Sequence, residues 1–500
     1  MQNDTENRMS GINLTAGVLK AATAILTSRV LGFVREILTA AFFGAGVLTD
    51  AFFLAWKIPN IFRRVLGEGA LEKVFIPYLG EGLGEDFKRS VFGYLLILAS
   101  ITVVVLEISA PFVVDLLSHS GNGLFLEKAT LFLRILALYL LFAFINAYFS
   151  SLLLSKGAFF KPYLSQAIFN FTVIGFILLF HQVWGIYSLV IGAVAGGILQ
   201  VLYIVLVAKS EGVAVLPSFR FHPILVKFFR DMLPSFASGG IGQLATLVEA
   251  FFATAVGGGV LSTLYYAFRL YQLPVSLVGV AVSRVSLSDL SSVKRRENGS
   301  NTAGGSEDSL TERRLKKAVE IGLFFAVPLF LALFFLSGSI VNAVYTRGAF
   351  TLEDATSTAL FLKLYALGLP FAVSQSVLSN YYFVQKRFLT LFLLTLPWFL
   401  SELVLGGVGI FVFNFGGWII PLAYSIGAMV TFFTVCISAE LCSLVGKAFL
   451  ELKRFVPLWI ITAAVLIALE RFLNGWTAIF CSAPLGVLYL YLFKKTYKGN

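Results

Sequence analysis

Three histidines and three cysteines are all that this 500-residue chain offers as imidazole and thiolate metal ligands. Cys436, Cys442 and Cys481 lie in or beside apolar runs and make no metal-ligand spacing, so they read as packing residues. His119, His181 and His222 fall near the ends of apolar runs and form no H-x-x-x-H pair. The expectation is a chain with no metal site and no cofactor. Charge is scarce too: charged residues make up 13% against 58% hydrophobic, and the mean hydropathy is +0.87. Soluble domains carry about a quarter charged residues, so a string of such domains is excluded. Also missing is a short apolar segment followed by an A-x-A cleavage site. The polar residues 1–13 lead straight into a long apolar run, expected to be kept as a span.

What the chain has instead is apolar length. A bilayer core about 30 Å thick takes about 20 residues of helix. The expected class is an all-α polytopic membrane protein with about fourteen transmembrane helices. The first seven are expected at 14–43, 47–79, 89–118, 127–155, 160–181, 184–208 and 224–256. The others are expected at 260–290, 316–346, 354–384, 388–413, 416–445, 454–472 and 475–494.

Basic residues fall on alternate connections. With the N-terminus inside, the inner segments hold Lys88, Arg89, Lys156, Lys161, Lys294 to Arg296, Arg313, Arg314, Lys316 and many more, whereas the outer loops hold only Lys128, Arg347 and Arg471. This places both termini in the cytoplasm. It also accounts for the net charge of +11 as topology signal and contact with anionic membrane lipids, leaving no call for a nucleic-acid partner. Leu126-Glu127-Lys128-Ala129-Thr130 and Leu352-Glu353-Asp354-Ala355-Thr356 open the fourth and tenth spans, a six-span period that implies two parallel, pseudo-symmetric six-helix lobes. The expected division is a polar N-terminus at 1–13, a first lobe at 14–210 and a second at 211–446 with a flexible cytoplasmic loop at 291–315. Two C-terminal helices and a basic tail follow at 447–500.

Charges inside the spans carry the functional signal. A charged side chain at bilayer depth costs at least about 2.5–3.5 kcal/mol and faces protein or water. On the first span Arg29 and Glu36 share a face with Gly32 between them, while Arg35 points about 120° away. One cavity could receive both arginines only if the helix bends, and Gly32 is the candidate hinge. On the second, Asp50, Lys57 and Arg64 form a heptad stripe with Arg63 alongside and Pro59 as a second hinge. Arg64, Glu68 and Glu72 follow at four-residue spacing. One reading pairs all these groups within a packed interface. The other, favoured by the excess of arginine, is an anionic ligand with phosphate geometry, which the planar guanidinium binds through two oxygens at once. Arg269, with Gln272 three residues on and Pro274 as a third hinge, joins that set. Asn170, Glu249 and Glu402 either line the same cavity, form a cation site, or make interhelical hydrogen bonds.

The runs SRVLGFVRE, FGAG, TDAFFLAWKIPN and FRRVLGEGALEKVFIPYL, with YYAFRLYQLP and RGAFT further on, closely resemble the signature of the MurJ/MviN lipid II flippases. These belong to the multidrug/oligosaccharidyl-lipid/polysaccharide exporter superfamily. The resemblance implies a transporter, not an enzyme, in the bacterial inner membrane. It would move undecaprenyl-diphosphate-linked disaccharide pentapeptide (lipid II) outward for peptidoglycan synthesis, by alternating access of two lobes around a central cationic cavity, and would act as a monomer. It further implies that Ser28, Arg29, Arg35, Arg63, Arg64 and Arg269 meet the head group; Gln272, which stands where some members have a glutamate, and Asn170 are added to that set from their own polarity and placement. Asp50 and Glu68 match family positions and would serve as gate or relay, a role that helical phasing extends to Glu36 and Lys57. Glu249 fits the acidic position of a cation site found in some members, whereas Glu402, the other residue of that possible site, does not reproduce its second acid. Coupling is expected to the membrane potential or a monovalent cation. The alternatives are a flippase for another undecaprenyl-diphosphate oligosaccharide and, from a different class, a membrane glycosyltransferase, which the short outer loops disfavour.

Overall fold

The computed structural model describes residues 2–64, 71–158, 160–213, 216–299, 307–438, 441–473 and 475–497. Every regular element among them is a helix. The chain runs through α1 (Gln2–Phe43), α2 (Val47–Phe62), α3 (Glu72–Gly80), α4 (Glu85–Leu117), α5 (Gly123–Ser155), α6 (Phe160–Trp184), α7 (Tyr187–Ser210) and α8 (Ile224–Val256). It continues through α9 (Val260–Pro274), α10 (Val280–Gly299), α11 (Glu307–Phe335), α12 (Ser337–Val344), α13 (Leu352–Leu367) and α14 (Leu369–Val384). The last are α15 (Phe388–Phe411), α16 (Ile419–Ser438), α17 (Cys442–Leu452), α18 (Val456–Phe472) and α19 (Trp476–Tyr497). Among the described residues ten helices are long and apolar enough to cross a membrane, eleven if the bent pair α13–α14 is one span. The protein is therefore a multi-pass membrane protein. The other expected spans are also helical, as α1, α2 and α8. Of these, α2 is only 16 residues long, and the apolar stretch of α8 is Gly242–Val256.

Several expected spans depart from regular α-helix, each for a local reason. In the second the α-helix reaches Phe62; Arg63, Arg64 and Leu71 take wider π-type turns, with Pro59, which has no N–H to give, one turn upstream. Pro274 closes α9, and a π-type turn at Val275–Gly279 leads into α10. The pair α13–α14 bends by 41° at Gly368, where Pro370 opens the next helix and Ser425 packs so closely that a Cβ on Gly368 would lie 2.9 Å from its Oγ. The expected loop at 291–315 is helical at both ends, since α10 reaches Gly299 and α11 begins at Glu307. Its charged flanks are good helix formers.

The molecule divides into two compact units. The first comprises Met1–Gly259 together with Arg347–Phe350; it includes α8, which packs on α2, α3 and α4. At its centre α6 packs on α1 and α7, and α5 on α2, α4 and α7. Close approach is bought with small residues on α7: a Cβ on Gly192 or Gly196 would lie 2.8 or 2.9 Å from Phe176 or Phe169 of α6. The four residues Arg347–Phe350 lie on the C-terminal end of α1, where Ala349 N donates to Ala41 O at 2.7 Å. A Cβ on Gly348 would meet Ala41 O at 2.2 Å and one on Gly44 would meet Ala349 O at 2.4 Å; both glycines have positive φ. The second unit, Val260–Thr346 and Thr351–Asn500, packs α11 on α10, α14, α17 and α18, and α15 on α16. Thr462 and Tyr489, hydrogen-bonded at 2.9 Å, join α18 to α19. Glu470 of α18 accepts from Ser339 N in the first turn of α12.

Candidate functional site

Polar groups of the first unit converge on α1 and α6. Arg35 donates from Nη1 to Asn170 Oδ1 at 3.1 Å and from Nη2 to Glu36 Oε1 at 3.4 Å. The amide nitrogen of Asn170 donates to Ser28 O and Gln166 O, both at 3.2 Å. One side chain on α6 thus fixes the Arg35 guanidinium and ties α6 to the backbone of α1. Asn170 and Ser28 are buried, and Arg35 is half-buried. Arg29 is exposed. α1 is continuous through Gly32, so the two arginines leave it in the different directions that their spacing requires. Gly32 instead packs on Asn170, with room for a Cβ at an ordinary 3.6 Å.

Along α2 the charges are held one by one. Asp50 is 1% exposed and accepts from Gly259 N at 2.6 Å. Lys57 donates to Thr246 O at 2.7 Å, and its ammonium lies 3.7 Å from Glu249 Oε2 on α8. Two residues expected in separate roles, gate and cation site, therefore form one ion pair. Arg63 donates to Asn60 Oδ1 at 2.9 Å and, with Glu72, Asn146, Gln166 and Gln200, lines a cavity of about 30 Å³, enough for water. Arg64 is half-buried, Pro59 is buried inside α2, and Glu68 lies outside the described residues.

In the second unit α9 carries its own arginine assembly. Arg269 donates from Nη2 to Tyr265 OH at 2.7 Å and from Nη1 to Gln272 Oε1 at 3.2 Å, and its guanidinium lies 4.8 Å from the Tyr265 ring centre. Pro274 follows at the π-type turn. Glu402 on α15 is 3% exposed. Among the described residues no group of three His, Cys, Asp or Glu is placed to hold a metal ion. Sequence reasoning missed Tyr265, whose signal was its place four residues before Arg269, and the pairing of Lys57 with Glu249, for which a single sequence carries no signal.

The family model for the lipid II flippase MurJ matches residues 39–485. The chain belongs to that family. It is 34% identical over 417 residues to a probable lipid II flippase MurJ of Aquifex aeolicus, covering 80% of this chain and 78% of that protein. A probable lipid II flippase MurJ of Buchnera aphidicola from Schizaphis graminum is 29% identical over 437 residues, covering 84% and 82%. Among solved structures, a lipid II flippase MurJ in an inward closed conformation superposes with a TM-score of 0.80 at 27% identity, over 96% of this chain and 99% of that one. An inward-facing multidrug resistance transporter of the MATE family, within the MOP superfamily, gives 0.62 at 13% identity over 86% and 99%, a likeness of fold. The MurJ family is one of transporters, so the chain is a transporter and not an enzyme.

Proposed function

We propose that this chain moves lipid II from the inner to the outer leaflet of the bacterial inner membrane, with both termini cytoplasmic, and that it works as a monomer. Family membership and the fold support that reading, and the observation that carries it to chemistry is Arg35, a guanidinium at membrane depth pinned by Asn170. The diphosphate of lipid II cannot cross hydrocarbon unaided, whereas a fixed guanidinium replaces its water with charge-assisted hydrogen bonds. Holding the guanidinium in place beforehand lowers the ordering cost of binding. Arg269, oriented by Tyr265 and Gln272, offers the same chemistry in the second unit. The polyprenyl tail stays in lipid throughout.

Direction comes from the membrane potential in this proposal. An inside-negative potential is worth about 2.3 kcal/mol per charge per 100 mV, and it favours outward movement of an anionic head group. Glu249, one residue of the possible cation site, lies 3.7 Å from the Lys57 ammonium, which favours the potential over a coupling cation as the driving force. The test is lipid II translocation in proteoliposomes under an imposed potential, for the parent and Arg35→Ala. A loss of tenfold or more in the variant supports the reading; equal rates would remove Arg35 from the head-group site.

A further inference from the structure

The first unit carries an apolar surface that no helix accounts for. Between α7 and α8, residues 216–223 are not helical, yet Leu216, Phe219 and Phe221 are 74%, 60% and 63% exposed. Val226, on the first turn of α8, is 63% exposed. The backbone beneath them is fixed to α4. Ser218 N donates to Arg89 O at 2.9 Å, Arg89 Nε donates to Leu216 O at 3.2 Å, and Ser90 Oγ donates to Arg220 O at 2.9 Å. The strap lies so close that a Cβ on Gly93 would fall 2.2 Å from Ser218 O. Its far end is anchored by His222, whose ring meets Phe87 edge-on at 5.4 Å.

Three environments are open to such a strap, and two are excluded. Irregular backbone exposed to lipid does not occur within the hydrocarbon layer. Water is a poor solvent for a fixed cluster of large apolar side chains. The remaining environment is the headgroup layer, where aromatic rings settle with one side wet and one side dry. The charges agree. Arg220, Lys227 and Arg230 are exposed along the same stretch. Residues 216–230 themselves hold no acid. Of the acids nearby, Asp231 accepts from Tyr78 OH at 2.6 Å, Glu85 pairs with Lys88 and Glu211 with Lys161, while Glu81 and Asp86 are exposed.

We infer that residues 216–230 form an interfacial strap that seats Phe219 and Phe221 among phospholipid headgroups and offers Arg220, Lys227 and Arg230 to anionic ones. The partner is the surface of the membrane that the protein spans. Because the backbone is pinned to α4, the strap sets the depth at which this end of the first unit sits. It is an interaction surface separate from the arginine assemblies.

The test uses the full chain with Cys436→Ala, Cys442→Ser and Cys481→Ser. Single spin labels are placed through Phe219→Cys, Phe221→Cys and, as a water-exposed reference, Glu81→Cys. In phosphatidylcholine vesicles with and without phosphatidylglycerol, collisions with oxygen are compared with collisions with a nickel chelate. The expected oxygen-to-nickel ratio at 219 and 221 is several-fold above that at 81. Phosphatidylglycerol should slow both labels, and Arg220→Gln, Lys227→Gln and Arg230→Gln combined should abolish the slowing. Ratios equal to that at 81 would place the strap in water and overturn the inference. Slowing unchanged by the triple variant would overturn its anionic-lipid part, and shielding from both reagents would mean that protein covers the strap.

Discussion

Arg35 and Arg269 are both guanidiniums on helices that the sequence reads as membrane spans, yet they are built differently. Arg35 is positioned across a helix pair: its amide partner comes from α6, which also bonds the backbone of α1. Two partners of Arg269 sit on its own helix, Tyr265 one turn before it and Gln272 one turn after. Helical spacing alone brings the second set together, since residues three and four apart are neighbours. The first set exists only when α1 and α6 are docked. A charge held by tertiary structure reports on packing, whereas one held by its own helix moves with that helix as a body.

The largest effect should come from another charge held across helices. Lys57→Met removes the ammonium facing Glu249 and leaves a half-buried carboxylate, at a cost of about 3 kcal/mol. Thermal unfolding in detergent should show it, and adding Glu249→Gln should restore most of the loss. Asn170→Leu comes next, lowering stability by about 2 kcal/mol because Arg35, Ser28 O and Gln166 O all lose a bond. Its translocation rate should fall with it. Tyr265→Phe should cost about 1 kcal/mol, since the ring stays under the guanidinium when the hydroxyl goes. If Tyr265→Phe proves as damaging as Asn170→Leu, the contrast between tertiary and local positioning fails.

Gly32→Ala sharpens the comparison from the backbone side. The space beside Asn170 admits a methyl group, so stability should rise by about 0.5–1 kcal/mol. Lost transport in this stabilised variant would mark Gly32 as a bending point, while retained transport would leave its fit against Asn170 as its role. The smallest effect lies outside the spans. Hydrogen bonding to the Lys161 ammonium holds the exposed Glu211 carboxyl below its usual range. Its stabilising effect is present above the carboxylate's ordinary pKa, about 4.3, and fades as pH falls through the lower folded value. Unfolding midpoints measured from neutral to acid pH should decline slightly less for Glu211→Gln than for the parent.

Much of the helical layout was legible because span length is imposed by the bilayer. The seventh span, expected at 224–256, is α8, Ile224–Val256. Within-helix partners were legible too, as Gln272 beside Arg269 shows. Breaks were harder. Pro59 and Pro274 marked them, but an apolar run continues in sequence whether or not its hydrogen bonds slip to a wider turn. Partners across helices were out of reach, because nothing in spacing along α2 or α8 says that Lys57 meets Glu249. The excess of arginine announced a site; Asn170 stood out only as a polar residue within a span, and nothing in its spacing paired it with Arg35.

The four residues laid on the end of α1 have a consequence in time. Ala349 N–H supplies Ala41 O with a donor made long after its acceptor. At about 5–20 residues per second, synthesis delivers it on the order of tens of seconds later. Through that interval the first unit waits with one piece missing, and a chain released before residue 350 could not complete it. Inserted early, this unit is finished only by what the ribosome adds well into the second.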